Sequence, residues 1–168
     1  MGKENDGDKV FWWLTAASCA HAVEEYFWPG GFLKSAKEIA PQAFEHASLP
    51  IIVGVNASMI IGCAFGALMR KRNPVHGLSM ASLLFVNSLL HLGASIRLRK
   101  YVPGLATGLA LYVPLSVRAF AWYRGSEDFR VSTAARAVAQ GLAYHSIPFV
   151  SFAVRGALLK TMESGLES

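Results

Sequence analysis

The chain has 168 residues, of which 53% are hydrophobic and only 16% charged, and its net charge is +5. Soluble domains carry about 25% charged residues, and disordered chains combine low hydrophobicity with high net charge, so this composition excludes both classes. The basic residues form short clusters at the ends of apolar runs instead of a stripe along one face, which argues against a nucleic-acid partner. We therefore predict a single integral-membrane domain over residues 1–168, with the lipid bilayer as its surroundings.

Apolar runs long enough to cross a bilayer recur along the chain. At 1.5 Å per residue, about 20 helical residues cover the ~30 Å hydrocarbon core. We predict five transmembrane helices, at Val10–Trp28, Ile51–Met69, Leu78–Ile96, Tyr101–Tyr123 and Ala137–Leu159. The fourth run is interrupted by Pro103 and Pro114, so we expect a kink there. The last run contains several polar residues, and a four-helix bundle is therefore the alternative.

The segment between the first two runs is of a different kind. Residues Phe32 to Leu49 mix lysines, glutamates and a histidine with apolar side chains, and Pro41 interrupts them while Pro50 follows them. This pattern is typical of a segment that lies at the membrane interface, and it could also serve as a lid. The predicted fold class is thus all-α: a polytopic bundle of about five transmembrane helices, or four, with an interfacial segment after the first.

The basic residues at the two ends of the predicted helices differ slightly in number. Their distribution favours an amino terminus in the cytoplasm, because positively charged loops tend to stay on that side. We expect the plasma (inner) membrane as the location.

Two pairs of glycines have a four-residue spacing, Gly62 with Gly66 and Gly104 with Gly108. This spacing lets the backbones of neighbouring membrane helices approach closely, so we interpret the glycines as packing positions. The sequence contains no glycine-rich phosphate loop and no zinc-protease motif that would assign a reaction directly.

Ionisable side chains inside the apolar runs are the strongest functional signal. Each costs roughly 2.5 to 3.5 kcal/mol to insert, and such residues usually face the interior of a bundle. On the first helix, His21, Glu24 and Glu25 have three-residue and four-residue spacings and therefore share one face. Asn87 and His91 repeat the four-residue spacing on the third helix.

The depth of each polar residue follows from its place in its run, because consecutive helices alternate in direction and rise 1.5 Å per residue. Asn56 on the second helix, His91 on the third and Thr107 on the fourth all fall near the level of the two glutamates. We predict one buried polar site at this level, in the half of the membrane nearest the interfacial segment. His145 on the last helix lies nearer the midplane and joins the site only if that helix tilts.

Each of these residues also has a plain structural interpretation. The glutamates lie near the end of their helix, where a charged group can reach the interface. Asn56, Asn87 and Thr107 could line a substrate site or could simply form hydrogen bonds between helices. His145 could be a hydrogen-bonded histidine of the bundle.

The segment His21-Ala22-Val23-Glu24-Glu25 resembles the HXXEE family of small membrane proteins, which is named for this pattern near the amino terminus. The similarity extends through Asn87-Ser88-Leu89-Leu90-His91 and through the glycine-rich stretch from Tyr101 to Leu109. The resemblance implies a membrane site at His21, Glu24, Glu25 and His91 that is shared by the family. It implies no reaction, because the family has no assigned activity.

Two carboxylates with two or three imidazoles form a suitable shell for a divalent metal such as zinc, iron or manganese. The first hypothesis is therefore a membrane metalloenzyme that acts on a lipophilic substrate resembling a lipid or an isoprenoid. Its metal ligands would be His21, Glu25 and His91, with His145 as a further ligand. Glu24 would be a ligand or a base.

Other functions fit the same residues. In metal-free acid/base catalysis by an isomerase or cyclase, Glu24 or Glu25 would protonate an alkene while His91 accepts a proton, since a carboxyl group in an apolar site can hold its proton at neutral pH. A proton-coupled transporter or small channel would relay protons through these groups, and a homodimer would supply the repeated half that transporters commonly contain. A non-catalytic membrane scaffold would leave the clustering at one depth unexplained.

Overall fold

The computed structural model describes residues 6–166, which form helices joined by short loops, with no β-strand among them. Seven helices follow one another in this part of the chain. They are α1 (Asp6–Phe27), α2 (Gly31–Ile39), α3 (Pro41–Phe44), α4 (Leu49–Met69), α5 (Pro74–Leu98), α6 (Leu105–Arg124) and α7 (Val131–Leu166). The predicted all-α fold class is confirmed.

Four helices in the described part of the chain are long and apolar enough to cross a membrane: α4, α5, α6 and the Val131–Leu159 part of α7. Four is the number predicted as the alternative, which was given because the last run contains polar residues. In the structure, however, the last run is one of the four helices. The first run forms a helix, α1, yet it is not one of the four, because His21, Glu24 and Glu25 lower its mean hydropathy. Large apolar side chains such as Ile61 remain exposed on the four helices, as expected for an integral membrane protein.

The start of α6 differs from the predicted run, which began at Tyr101. A turn precedes the helix, and Gly104 in this turn has a φ of +96°, a left-handed conformation that glycine adopts without strain. The irregularity expected near Pro114 takes the form of a π-helical turn, Gly108–Tyr112, just before that proline. Such turns are rare and widen the helix locally.

The predicted interfacial segment forms the two short helices α2 and α3. On α2 the charged side chains are exposed whereas Ala36 is buried, so the helix is amphipathic as its sequence indicates. Its Glu38 pairs with Lys100 in the loop after α5. Pro50 lies in the first turn of α4, where a missing N–H group leaves no hydrogen bond unmade.

The centre of the bundle is α5. Every residue from Gly77 to Leu84 is buried, since α4, α6 and α7 pack around this helix. The fourth long neighbour, α1, packs against α4 and α6 and contributes Phe11 and Leu14 to the main core. This arrangement brings the polar face of α1 toward the second half of α5 and the start of α6.

Glycines set the distance between α5 and its neighbours. A Cβ atom added to Gly66 of α4 would lie 2.9 Å from the Cα atom of Gly77, and one added to Gly141 of α7 would lie 2.6 Å from the Ser79 carbonyl oxygen. Real Cβ atoms do not approach other atoms so closely. Gly66, from the first predicted pair, therefore lies at a close contact between two helix backbones.

We predict that Gly66→Ala lowers the stability of the detergent-purified protein, because the added methyl group overlaps the backbone of α5 and overpacking costs about 1 to 3 kcal/mol. The matched control is Gly54→Ala on the same helix, where an added Cβ meets nothing within 4 Å. The measurement is the midpoint of thermal unfolding, followed by intrinsic tryptophan fluorescence. Equal midpoints for the two variants would contradict the close contact.

Candidate functional site

A group of buried ionisable side chains lies where α1, α5 and the start of α6 meet. His21, Glu25 and His91 expose only 0%, 4% and 2% of their surface. The four-residue spacing on α1 places His21 and Glu25 on one face, with 3.4 Å between Nε2 and Oε1. His91 of α5 approaches the same carboxylate oxygen, and its Nε2 atom lies 3.3 Å away.

These separations suit a metal ion. Each of the three residues offers one ligand atom, and the three atoms lie within 4.8 Å of one another. Two ligand atoms that are each about 2.1 Å from a tetrahedral metal lie roughly 3.4 Å apart. The distances from Glu25 Oε1 to the two imidazole nitrogens are close to this value. Among the residues whose side chains the structure describes, no other group of His, Cys, Asp and Glu has comparable geometry.

Glu24 has a different environment from its neighbour Glu25. Its carboxylate lies at the amino-terminal end of α6, where it accepts hydrogen bonds from the backbone N–H groups of Gly104 (2.8 Å), Ala106 (3.2 Å) and Thr107 (2.8 Å). The first N–H groups of a helix have no partner within the helix, and an acidic group there is favourable. Glu24 therefore caps α6 and lies outside the group that can share a metal ion.

Two hydroxyl groups complete the surroundings of this carboxylate. Thr107 donates from Oγ1 to Glu24 Oε2 over 2.6 Å, and the hydroxyl of Tyr101 donates to Oε1. Burial and the hydrogen bond to Glu24 raise the pKa of Tyr101 to about 12, so its phenol keeps the proton that it donates. Tyr101 was not predicted as a site residue, because its place at the start of an apolar run gave no sign that it faces α1.

The polar residues predicted on the other helices also contact the group formed by His21, Glu25 and His91, either directly or through a neighbour. Asn56 of α4 donates to Glu25 Oε2 over 2.5 Å. Asn87 of α5 has its Nδ2 atom 3.1 Å from His21 Nε2 and its Oδ1 atom 3.2 Å from His145 Nε2. All of these contacts join different helices, which agrees with the plain structural interpretation as well as with a substrate site. His145 contacts Asn87 and is not one of the three residues whose ligand atoms lie within 4.8 Å of one another, so its role as a further metal ligand stays a prediction.

Glycine and aromatic residues shape the space around the imidazoles. A Cβ atom added to Gly104 would lie 2.7 Å from both His21 Cε1 and His91 Nδ1, so only glycine fits between the two rings. Tyr112 stacks on His21 with 4.6 Å between ring centroids, and Phe32 of α2 lies 5.1 Å from the His91 ring. Sequence reasoning assigned Gly104 to helix packing and did not select the aromatic residues, because aromatic side chains are common in apolar runs.

A groove of about 780 Å³ opens beside the site between α4 and α7, with α5 also lining it. Most of its lining is apolar. Two polar pairs reach the groove, Glu25 with Asn56 and Asn87 with His145, and the buried His21 lies between them. The buried carboxylate of Glu25 is therefore the point at which the group of three meets a space large enough for a small molecule.

We predict that Gly104→Ala destabilises the protein by at least about 1 kcal/mol, since alanine is unfavourable at a positive φ and its methyl group displaces both imidazoles. Gly93→Ala serves as the control, because a Cβ at Gly93 meets nothing within 4 Å. Thermal unfolding measures the stability, and the histidine ring signals in an NMR spectrum report the displacement. Unchanged His21 and His91 signals in Gly104→Ala would disprove the close fit.

Residues 12–119 match the sequence model of a family described as "Protein of unknown function with HXXEE motif". The matched range contains the group of three, the Glu24 cap and both asparagines, whereas His145 lies beyond it. No curated protein and no solved structure shows a significant match to the chain. Because the match extends over more than half of the sequence, the chain belongs to the HXXEE family.

Proposed function

We propose that this protein binds a divalent metal ion at His21, Glu25 and His91 and uses it to act on a lipophilic substrate held in the groove. The observation that carries the proposal is the buried group whose ligand atoms lie within 4.8 Å of one another and whose Glu25 lines the groove. Imidazole and carboxylate ligands suit zinc, iron and manganese. Three protein ligands leave a coordination position free for water or substrate, as in catalytic zinc sites.

The position of the groove supports a substrate that is soluble in the membrane. The groove lies between helices that are apolar enough to cross a bilayer, and α4 contributes Val55, Met59 and Phe65 to its lining. A lipophilic molecule could therefore enter from the side of the bundle. The side-chain amide of Asn56 and the imidazole of His145 would orient its polar end beside Glu25.

Several parts of this proposal rest on the sequence. The plasma membrane, the cytoplasmic amino terminus and a homodimer stay predictions.

A metal bound at His21, Glu25 and His91 would supply a Lewis acid or an activated water molecule. The chain's own residues would hold the ion, exclude bulk water by burial and present the groove.

Metal-free acid/base chemistry is a second candidate, and one observation favours it. Oε1 of Glu25 lies 3.3 Å from His91 Nε2 and Oε2 accepts from Asn56, so both oxygens of this carboxylate have a partner without an ion. A proton could pass between Glu25 and His91 over 3.3 Å. Glu24 is the weaker candidate for the acid, because the donors around it favour its ionised form.

We predict about one equivalent of zinc, iron or manganese per chain, measured by elemental mass spectrometry on detergent-purified protein. His91→Ala and Glu25→Gln should lower the content to background, because each removes one of three ligands. His46→Ala is the control, since His46 lies outside the group. Undiminished metal in His91→Ala would disprove this site. Folded wild-type protein that takes up none of these metals when they are added would exclude the metal site and favour metal-free acid/base chemistry.

A second prediction concerns the groove. A benzophenone-bearing fatty alcohol should crosslink to Met59 or Met80, which line the groove, and Val55→Trp should reduce the crosslinking by filling the space. Ile61→Trp is the matched control, because Ile61 is exposed on the same helix and does not line the groove. Peptide mass spectrometry locates the crosslinks. Equal crosslinking of Met59 in both variants would count against binding of an alkyl chain in the groove.

A further inference from the structure

We propose that Thr107 and Glu24 are positioning residues that fix the tautomer of His21, so that Nδ1 carries the ring proton and Nε2 keeps the lone pair that a metal ion requires. The tautomer itself follows from hydrogen bonds within the protein. Its consequence for metal binding rests on the proposed function.

The argument starts from the single proton of the Thr107 hydroxyl. Thr107 Oγ1 lies 2.6 Å from Glu24 Oε2 and 2.8 Å from His21 Nδ1. Glu24 also accepts from three backbone N–H groups and from the hydroxyl of Tyr101, so both of its oxygens act as acceptors, and the hydroxyl of Thr107 donates to Oε2. The threonine proton must therefore go to Glu24, and the contact with His21 must be a donation from Nδ1–H to the threonine oxygen.

His21 Nε2 then has no proton when the ring is neutral. This nitrogen lies 3.4 Å from Glu25 Oε1 and 3.1 Å from Asn87 Nδ2. The amide of Asn87 donates to the lone pair with its nitrogen, and its oxygen accepts from His145 Nε2 at 3.2 Å. The hydrogen bonds on both sides of the ring are therefore consistent with the same tautomer.

A metal binds imidazole through the nitrogen that has no proton, and the partner of the other nitrogen sets the orientation and basicity of the ring. Loss of such a partner typically weakens metal binding about 10-fold to 100-fold. Here the partner is a hydroxyl whose own direction is set by Glu24. The two adjacent acids of the motif would thus act on the same ion in different ways, Glu25 directly and Glu24 through Thr107 and His21.

Nitrogen NMR of the metal-free protein, labelled with 15N-histidine, tests the tautomer directly. His21→Ala identifies the His21 signals, and we expect the wild-type ring to carry its proton on Nδ1. Thr107→Val keeps the shape of the side chain without the hydroxyl and should abolish this preference, whereas Thr107→Ser should retain it. A wild-type His21 ring protonated on Nε2 overturns the proposal, and so does an unchanged tautomer in Thr107→Val with native His46 and His76 signals. If Thr107→Val does not fold, the wild-type spectrum alone decides.

Zinc titration against a chromophoric chelator tests the consequence for the metal. Thr107→Val should bind zinc about 10-fold to 100-fold more weakly than wild type, and Thr107→Ser should stay close to wild type. Equal affinity in Thr107→Val and wild type would overturn the positioning role while the metal site stands. A wild-type protein that binds no zinc, iron or manganese would overturn the proposed function, whereas the NMR result on the tautomer would remain valid.

Discussion

The carboxylate of Glu24 at the first turn of α6 is the contact on which the site depends. The first N–H groups of a helix have no partner within the helix, and an acidic group that accepts from them stabilises that end. Glu24 pairs with three of them at once. By holding this end of α6 against α1, it places Thr107 beside His21 and Gly104 between the two imidazoles.

The adjacent acids Glu24 and Glu25 serve different parts of the structure. Neighbouring residues on a helix point about 100° apart, so the two carboxylates diverge from the same turn of α1. Glu25 points toward α4 and α5, where it meets Asn56 and His91. One turn of α1 thus contributes a group to a candidate metal centre and the cap of a neighbouring helix, which gives a physical reason for two consecutive acids in the motif.

The compactness of the polar group distinguishes among the proposed functions. His145, Asn87, His21 and Glu25 form a continuous chain of contacts, which is a property that a proton relay would need. A path across a membrane, however, requires polar groups at several depths, whereas these residues gather at one place beside the groove. A buried site that faces a space of about 780 Å³ agrees better with the proposed binding of a small molecule.

The sequence by itself determined the all-α fold, the positions of the apolar helices and the gathering of polar residues from several helices. Helical periodicity places His21 beside Glu25, and the alternating direction of consecutive helices brings Asn56, His91 and Thr107 to the same level. Both are local rules, so they apply before any packing is known.

Only the tertiary structure decided which polar groups touch. Glu24 and Glu25 are chemically equal in the sequence, and their roles separate because α6 begins next to one and α5 passes next to the other. The start of α6 four residues later than its apolar run, the place of Gly104 between two imidazoles and the contact of His145 with Asn87 likewise depend on how the helices pack. Hydrophobic patterning specifies which face of a helix is buried, but the rotation and offset of one helix against another come from side-chain contacts between distant segments.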